Sequence, residues 1–241
     1  MDEIEHKYVE VNGLKLHIAE TGKGFSPVVV FLHGFPEIWY SWRYQMIAIA
    51  KAGFRAIAPD YRGYGLSDQP PRPEKTTFSD LISDLLALLD ALTISKAFLV
   101  GKDFGNIVIS RFVVLHKERV SGFITMGMPF FSPRTLELPE GQFPEGFYIS
   151  RWREPGRAEA DFGRFDAKTI VRNIYILFAR SDEMPIANDE KQEIMDIVLP
   201  STPLPPWFTE EDLAIYGALY EKSGFQTALQ VPYRFVITQL E

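Results

Sequence analysis

Asp103 is centred in Gly101-Lys-Asp-Phe-Gly105, directly after the apolar run Phe98-Leu-Val100. A strand ending there, a tight turn and a helix opening at Phe104 would present the carboxylate at the tip of a sharp bend. That setting normally carries a nucleophile as Gly-x-Ser-x-Gly, and here an aspartate holds the nucleophile's place. At ordinary Gly and Asp frequencies, such a pentapeptide arises by chance in a chain of this length about 0.06 times. An Asp at this point could instead be a helix N-cap. An Asp-Phe-Gly metal loop of the kinase kind is excluded, because no His-Arg-Asp segment and no Gly-x-Gly-x-x-Gly loop precedes it. The second constellation is His33-Gly-Phe-Pro-Glu37, after the apolar run Val28–Leu32. Gly34 would let the N–H of Phe35 face a reacting oxygen. Paired with the N–H of Phe104, it would form an oxyanion hole for acyl chemistry. His33, on that loop, is expected to be structural. Phe35-Pro36 is a candidate cis bond.

These residues need a scaffold, and the spacing supplies one. Tyr8–Val11 and Leu14–Ala19 alternate around Asn12-Gly13, a hairpin signal. Val28–Leu32, Phe54–Ala58, Ala97–Val100 and Val120–Met126 read as strands, the apolar runs among them as buried parallel ones. Helical spacing covers Ser41–Ala52, Thr77–Leu92 and Phe104–His116, and Thr77 with Asp80 makes a capping-box start. Strand–helix alternation over residues 27–126 predicts an α/β fold, a mostly parallel sheet with helices on both faces. After Met128-Pro129 the chain becomes rich in Pro, charge and aromatics, with helical patterns at Asp166–Ala179, Asp189–Val198 and Thr209–Ser223. The expected division is a core over 1–129, a helical lid over 130–235 and the start of a return to the core over 236–241.

The whole composition narrows the function classes. The 241 residues carry 25 Lys and Arg against 32 Asp and Glu, a formal charge of −7. Such an acidic chain is a poor general binder of nucleic acid or anionic membranes. There is no cysteine, so disulfides, thiolate metal sites and a cysteine nucleophile are excluded. No metal or other cofactor is expected. The N-terminus lacks the apolar stretch of a signal peptide, and no apolar run is long enough to span a bilayer. The expected location is cytoplasmic.

Taken together, His33-Gly-Phe-Pro, Asp60-Tyr-Arg-Gly-Tyr-Gly-Leu-Ser67 and Gly-Lys-Asp-Phe-Gly resemble the α/β-hydrolase superfamily. The longer stretches His33–Arg43 and Phe147-Tyr-Ile-Ser-Arg-Trp152 are similar to soluble epoxide hydrolases of the plant type, and the likeness covers nearly all of residues 4–235. Asn106 departs from the pattern, which usually has a small residue there; it is expected to tighten helix–strand packing. The resemblance implies that Asp103 attacks a small apolar epoxide. An sp³ carbon requires in-line displacement, and a carboxylate leaves an ester that water can cleave, whereas a serine would leave an ether. Asp is also anionic at neutral pH and needs no base for this step. The resemblance further implies two lid phenols over the epoxide oxygen: Tyr233 as proton donor and Tyr148 as hydrogen-bond donor. Trp39 and Trp152 are candidate pocket walls.

In the same superfamily a relay acid and then a histidine base follow the nucleophile in chain order. The four histidines here are His6, His17, His33 and His116. His116 lies 13 residues along one helix from Asp103, about 20 Å away. His6 and His17 read as surface residues of the opening strands. The expectation is a C-terminally truncated epoxide hydrolase, lacking the last core strands and helices, the acid and the base, and any targeting signal they carried. Its lid would be tethered through Pro129 alone, leaving both phenols poorly held. Two other readings stand beside it. A haloalkane dehalogenase shares the elbow Asp, though two phenols do not suit halide binding. A non-catalytic ligand-binding or regulatory protein on a hydrolase scaffold would need no base.

Overall fold

A computed structural model describes residues 4–131, 146–180 and 192–234. Six strands form one sheet in the order β1-β2-β4-β3-β5-β6: β1 (Glu5–Val11), β2 (Leu14–Thr21), β3 (Val28–Leu32), β4 (Arg55–Pro59), β5 (Ala97–Lys102) and β6 (Val120–Met126). The hairpin β1–β2 is antiparallel, and β2 joins β4 antiparallel. From β4 through β3 and β5 to β6 all pairing is parallel. Every residue of β3 is buried, which explains its unbroken apolar run at the middle of the sheet. The tight turn at Asn12-Gly13 has positive φ at both residues, as its sequence requires.

The flanking helices are α1 (Arg43–Lys51), α2 (Phe78–Ala91) and α3 (Gly105–Leu115). A short 3₁₀ turn, Trp39–Trp42, leads into α1, so the helical spacing read over Ser41–Ala52 resolves into two pieces. In α2 the capping box is complete: the Thr77 hydroxyl accepts the Asp80 N–H, and Asp80 accepts the Thr77 N–H at 2.8 Å. Its buried face is Phe78, Leu81, Ile82, Leu85, Leu88 and Leu89. Each such side chain contributes about 1.5–3 kcal/mol through removal from water.

The second layer is helical: α4 (Tyr148–Arg153), α5 (Arg157–Phe162), α6 (Ala167–Ala179), α7 (Glu210–Ser223) and α8 (Gln226–Leu229), then a wide turn over Gln230–Arg234. Asp166 caps α6 through the Thr169 N–H, and Thr209 caps α7. The helix read over Asp189–Val198 falls partly outside the described residues. Its described part holds only a 3₁₀ turn, Ile194–Asp196, whose Ile194 and Met195 are buried. The apolar spacing there reflects packing under α5 and α6 rather than a helix.

This layer is not tethered through Pro129 alone. Asp212 of α7 accepts hydrogen bonds from Tyr40 Oη (3.1 Å) and Arg43 Nη2 (2.7 Å). Ser41 and Tyr216 hydroxyls lie 2.6 Å apart, Tyr220 Oη donates to the Glu37 carbonyl, and Tyr64 Oη donates to the Val231 carbonyl at 2.9 Å. Gln69 Nε2 reaches the Ser223 carbonyl at 2.7 Å. Sequence periodicity is blind to such cross-layer bonds, because their partners are more than 150 residues apart.

Candidate active site

Asp103 sits between β5 and α3 with φ of +53°, the left-handed conformation that a sharp elbow demands and that is uncommon for a side-chain-bearing residue. Its side chain does not cap α3; Phe104 occupies that position. A Cβ on Gly105 would stand 2.3 Å from the Leu32 carbonyl, so only glycine lets the helix start pass over the end of β3. Asn106 is fully buried, and its Nδ2 donates to the Met126 and Met128 carbonyls at 2.8 and 3.0 Å. It thereby ties α3 to the end of β6.

The loop leaving β3 closes over the carboxylate. Phe35 N–H donates to Asp103 Oδ1 at 3.1 Å, and the backbone N–H of Phe104 is a further donor. A Cβ on Gly34 would sit 2.4 Å from the same Oδ1, which fixes glycine there. Phe35-Pro36 is cis. Burial pushes the Asp103 carboxyl up to about 6; the Phe104 and Phe35 N–H groups pull it down, Glu37 raises it and Lys102 lowers it. The group is therefore predominantly a carboxylate at neutral pH, held by the two N–H groups.

Above it is a cavity of about 300 Å³ lined by Phe35, Asp103, Phe104, Tyr148, Tyr175 and Tyr233, with Phe178 and Trp207 towards its rim. The rings of Tyr148 and Tyr233 lie 6.1 Å apart, and Tyr233 packs edge-on against Phe35 and Phe104. Burial drives both phenols above the ordinary tyrosine range, and the charge of Asp103 adds to the effect. Both remain protonated donors at neutral pH. The segments that carry Tyr148 and Tyr233 are laced to each other: Arg153 Nε donates to the Tyr233 carbonyl and Arg234 Nε to the Trp152 carbonyl.

The two tryptophans lie elsewhere. Trp152 is buried one layer behind the cavity, edge-on to Tyr148, Tyr233 and Phe35, and supports the wall without forming it. Trp39 is turned away from the cavity altogether. Its backbone N–H donates to Asp60 Oδ1 at 2.8 Å, and its ring packs on His6 and Tyr40. Residues that sequence reasoning did not single out for the cavity include Glu37, Lys102, Tyr175, Phe178 and Trp207. Lys102 was legible in principle as the neighbour of the elbow residue. The side of α6 that would carry Tyr175 and Phe178 to the cavity depends on how the layers meet.

The histidines are all engaged away from the carboxylate. His33 is fully buried; its Nδ1–H donates to the Gly34 carbonyl at 2.9 Å and its Nε2 accepts the Tyr61 N–H at 3.3 Å. Burial lowers its pKa, which fits a neutral ring bracing the loop. His17 is not a surface residue. It is fully buried, donates from Nδ1 to Asp60 Oδ2 at 2.9 Å, and its Nε2 pairs with Nδ1 of the exposed His6 at 2.9 Å. The reason is that β2 lies between β1 and β4, so its inward side chains meet the segment after β4. His116 packs on Phe112 at the far end of α3. Among the described residues no group of three or more His, Cys, Asp or Glu is placed to hold a metal ion, and no helix is long and apolar enough to cross a membrane.

Residues 27–241 match the model of the alpha/beta hydrolase fold family. Epoxide hydrolase 3 of Siraitia grosvenorii is 40% identical over 243 residues, spanning 99% of this chain and 75% of that protein. The structure of potato (Solanum tuberosum) epoxide hydrolase I superimposes with a TM-score of 0.81 at 35% identity, covering 96% of this chain and 73% of the other. An epoxide hydrolase from Vigna radiata gives 0.79 at 38% identity, covering 97% and 72%.

Proposed function

From a chain that belongs to the alpha/beta hydrolase fold family, and within it to the epoxide hydrolases, we propose that Asp103 opens a small apolar epoxide by forming an ester. The observation that carries this reading is the carboxylate fixed by the Phe35 and Phe104 N–H groups beneath two neutral phenols. A carboxylate oxygen of Asp103 attacks a ring carbon in line with the C–O bond that breaks. The electron pair of that bond goes to the epoxide oxygen, which takes a proton from Tyr233 while Tyr148 donates a hydrogen bond. Charge-assisted donors of this kind contribute about 1.5–3 kcal/mol each. The mostly apolar cavity suits an aryl or short alkyl epoxide, and residues 130–235 act as the lid that brings both phenols.

Cleaving the ester is a separate matter. Its carbonyl is that of Asp103 itself, and the Phe35 and Phe104 N–H groups become the oxyanion hole for water attack. That water needs a base. Within residues 1–241 no histidine follows His116, and none of the four lines the cavity. Residues 1–241 on their own therefore stop at the ester: each chain consumes at most one equivalent of epoxide and releases no diol. The test is to mix this chain with a tenfold excess of a styrene-oxide-type epoxide and quantify both epoxide consumed and diol released over hours. Epoxide loss that levels off at or below one equivalent with no matching diol is expected; continued linear diol release would show that another group activates the water.

A further inference from the structure

The Lys102–Glu37 pair is used by no step above, yet both residues line the cavity beside Asp103. Lys102 Nζ lies 2.6 Å from Glu37 Oε1. The other oxygen, Oε2, accepts the Gly34 N–H at 3.2 Å, and the Glu37 N–H returns to the Gly34 carbonyl at 3.2 Å. Glu37 thus closes a ring of bonds around the turn whose next N–H, that of Phe35, holds Asp103. The Glu37 side chain is 7% exposed and that of Lys102 is 49% exposed. An ordinary surface ion pair has little effect. Here one partner is nearly buried, so removing the cation would leave an uncompensated charge next to the attacking carboxylate.

We propose that Lys102 is a positioning residue: by holding the Glu37 carboxylate it fixes the His33–Glu37 loop over Asp103 and offsets Glu37's charge at the nucleophile. The groups that act on Asp103 come from every side of the cavity. Glu37 arrives from the loop after β3, Lys102 from β5, Tyr61 and Tyr64 from the segment after β4, Tyr148 from α4 and Tyr233 from the last turn. Burial keeps all four phenols protonated far above neutral pH. Beside burial and the Phe104 and Phe35 N–H groups, that leaves Glu37, which disfavours the carboxylate, and Lys102, which favours it, as the charged pair that adjusts when Asp103 ionises.

The alkylation arm of the test rests on the proposed role of Asp103, so a second readout is chosen that needs no epoxide. The rate of covalent labelling is measured from pH 4.5 to 9, and in parallel the carboxyl carbon of Asp103 is titrated by ¹³C NMR. In Lys102→Met the midpoint of both curves is expected to rise by roughly 1 pH unit, as for a carboxylate left beside a like charge. Glu37→Gln lowers it, Lys102→Arg keeps it near the wild-type value, and the double change Lys102→Met with Glu37→Gln returns it towards wild type. If Lys102→Met does not fold, the Glu37→Gln shift decides. NMR midpoints that coincide with wild type in the folded variants overturn the proposal. Shifted NMR midpoints with no labelling at any pH would instead overturn Asp103 as the nucleophile and leave the role of Lys102 standing.

Discussion

At the residue scale the site is built against its own stability. In an unfolded chain an Asp ionises near 4, whereas burial holds Asp103 at about 6 in the fold. Folding therefore favours the protonated form. Stability is fullest below about pH 4, falls as pH rises between the two values, and carries the whole penalty above pH 6. Asp103→Asn removes that penalty, since an amide still accepts from Phe35 and Phe104. It is expected to stabilise the protein by about 2–3 kcal/mol at pH 8 and far less at pH 4.5, read from urea unfolding at both pH values. Equal effects at both would mean that the carboxylate is solvated in the fold. The residues proposed to react stand out in the sequence through local signals: the elbow pentapeptide points to Asp103, and the stretches that resemble epoxide hydrolases point to Tyr148 and Tyr233. His17 and Trp39 were misjudged for the complementary reason. Their environments are set by Asp60, which is 43 residues from His17 in sequence and reaches it only through the order of strands.

Elements carry the site through their ends. The carboxylate depends on where β5 stops and α3 starts, and the oxyanion loop on where β3 stops. Each phenol instead depends on how the helical layer is fastened to the sheet. One such fastening is Asp212, which completes the capping box of α7 with Thr209 and also receives Tyr40 and Arg43. Burial by itself would raise its carboxyl; the Thr209 N–H and hydroxyl, with Arg43, bring it below the ordinary range. It stabilises the fold above the unfolded pKa and loses that effect as pH falls through the lowered value. Asp212→Ala is expected to cost about 2–4 kcal/mol at pH 7, combining loss of the return half of the capping box with a stranded Arg43. Denaturant unfolding at pH 7 checks it; a loss under 0.5 kcal/mol, within the ordinary effect of a surface change, would mean that the layer is held mainly by apolar packing. Helix caps could be read from single words in the sequence. The use of one carboxylate for both a cap and a cross-layer bond could not, because Tyr40 and Arg43 belong to a different layer of the fold.

Among the described residues the sheet is mostly parallel and ends at β1 on one side and at β6 on the other. Beside β6, Phe123, Ile124 and Met126 are among the exposed large apolar side chains. An exposed apolar edge of this kind favours association. Alternation of strands and helices was enough to foresee the sheet, since buried parallel strands and amphipathic helices differ in period. The helical layer was foreseen in composition but not in attachment, because its long-range bonds leave no periodic trace. The proposed reaction depends on Asp103 as the attacking group. The most direct measurement is peptide mapping by mass spectrometry after incubation with a styrene-oxide-type epoxide at pH 7.5, with Asp103→Asn as control. The account predicts a single adduct on the peptide containing Gly101–Gly105, localised to Asp103, and no adduct in the control. An adduct on any other residue, or equal labelling of the Asp103→Asn chain, would contradict it.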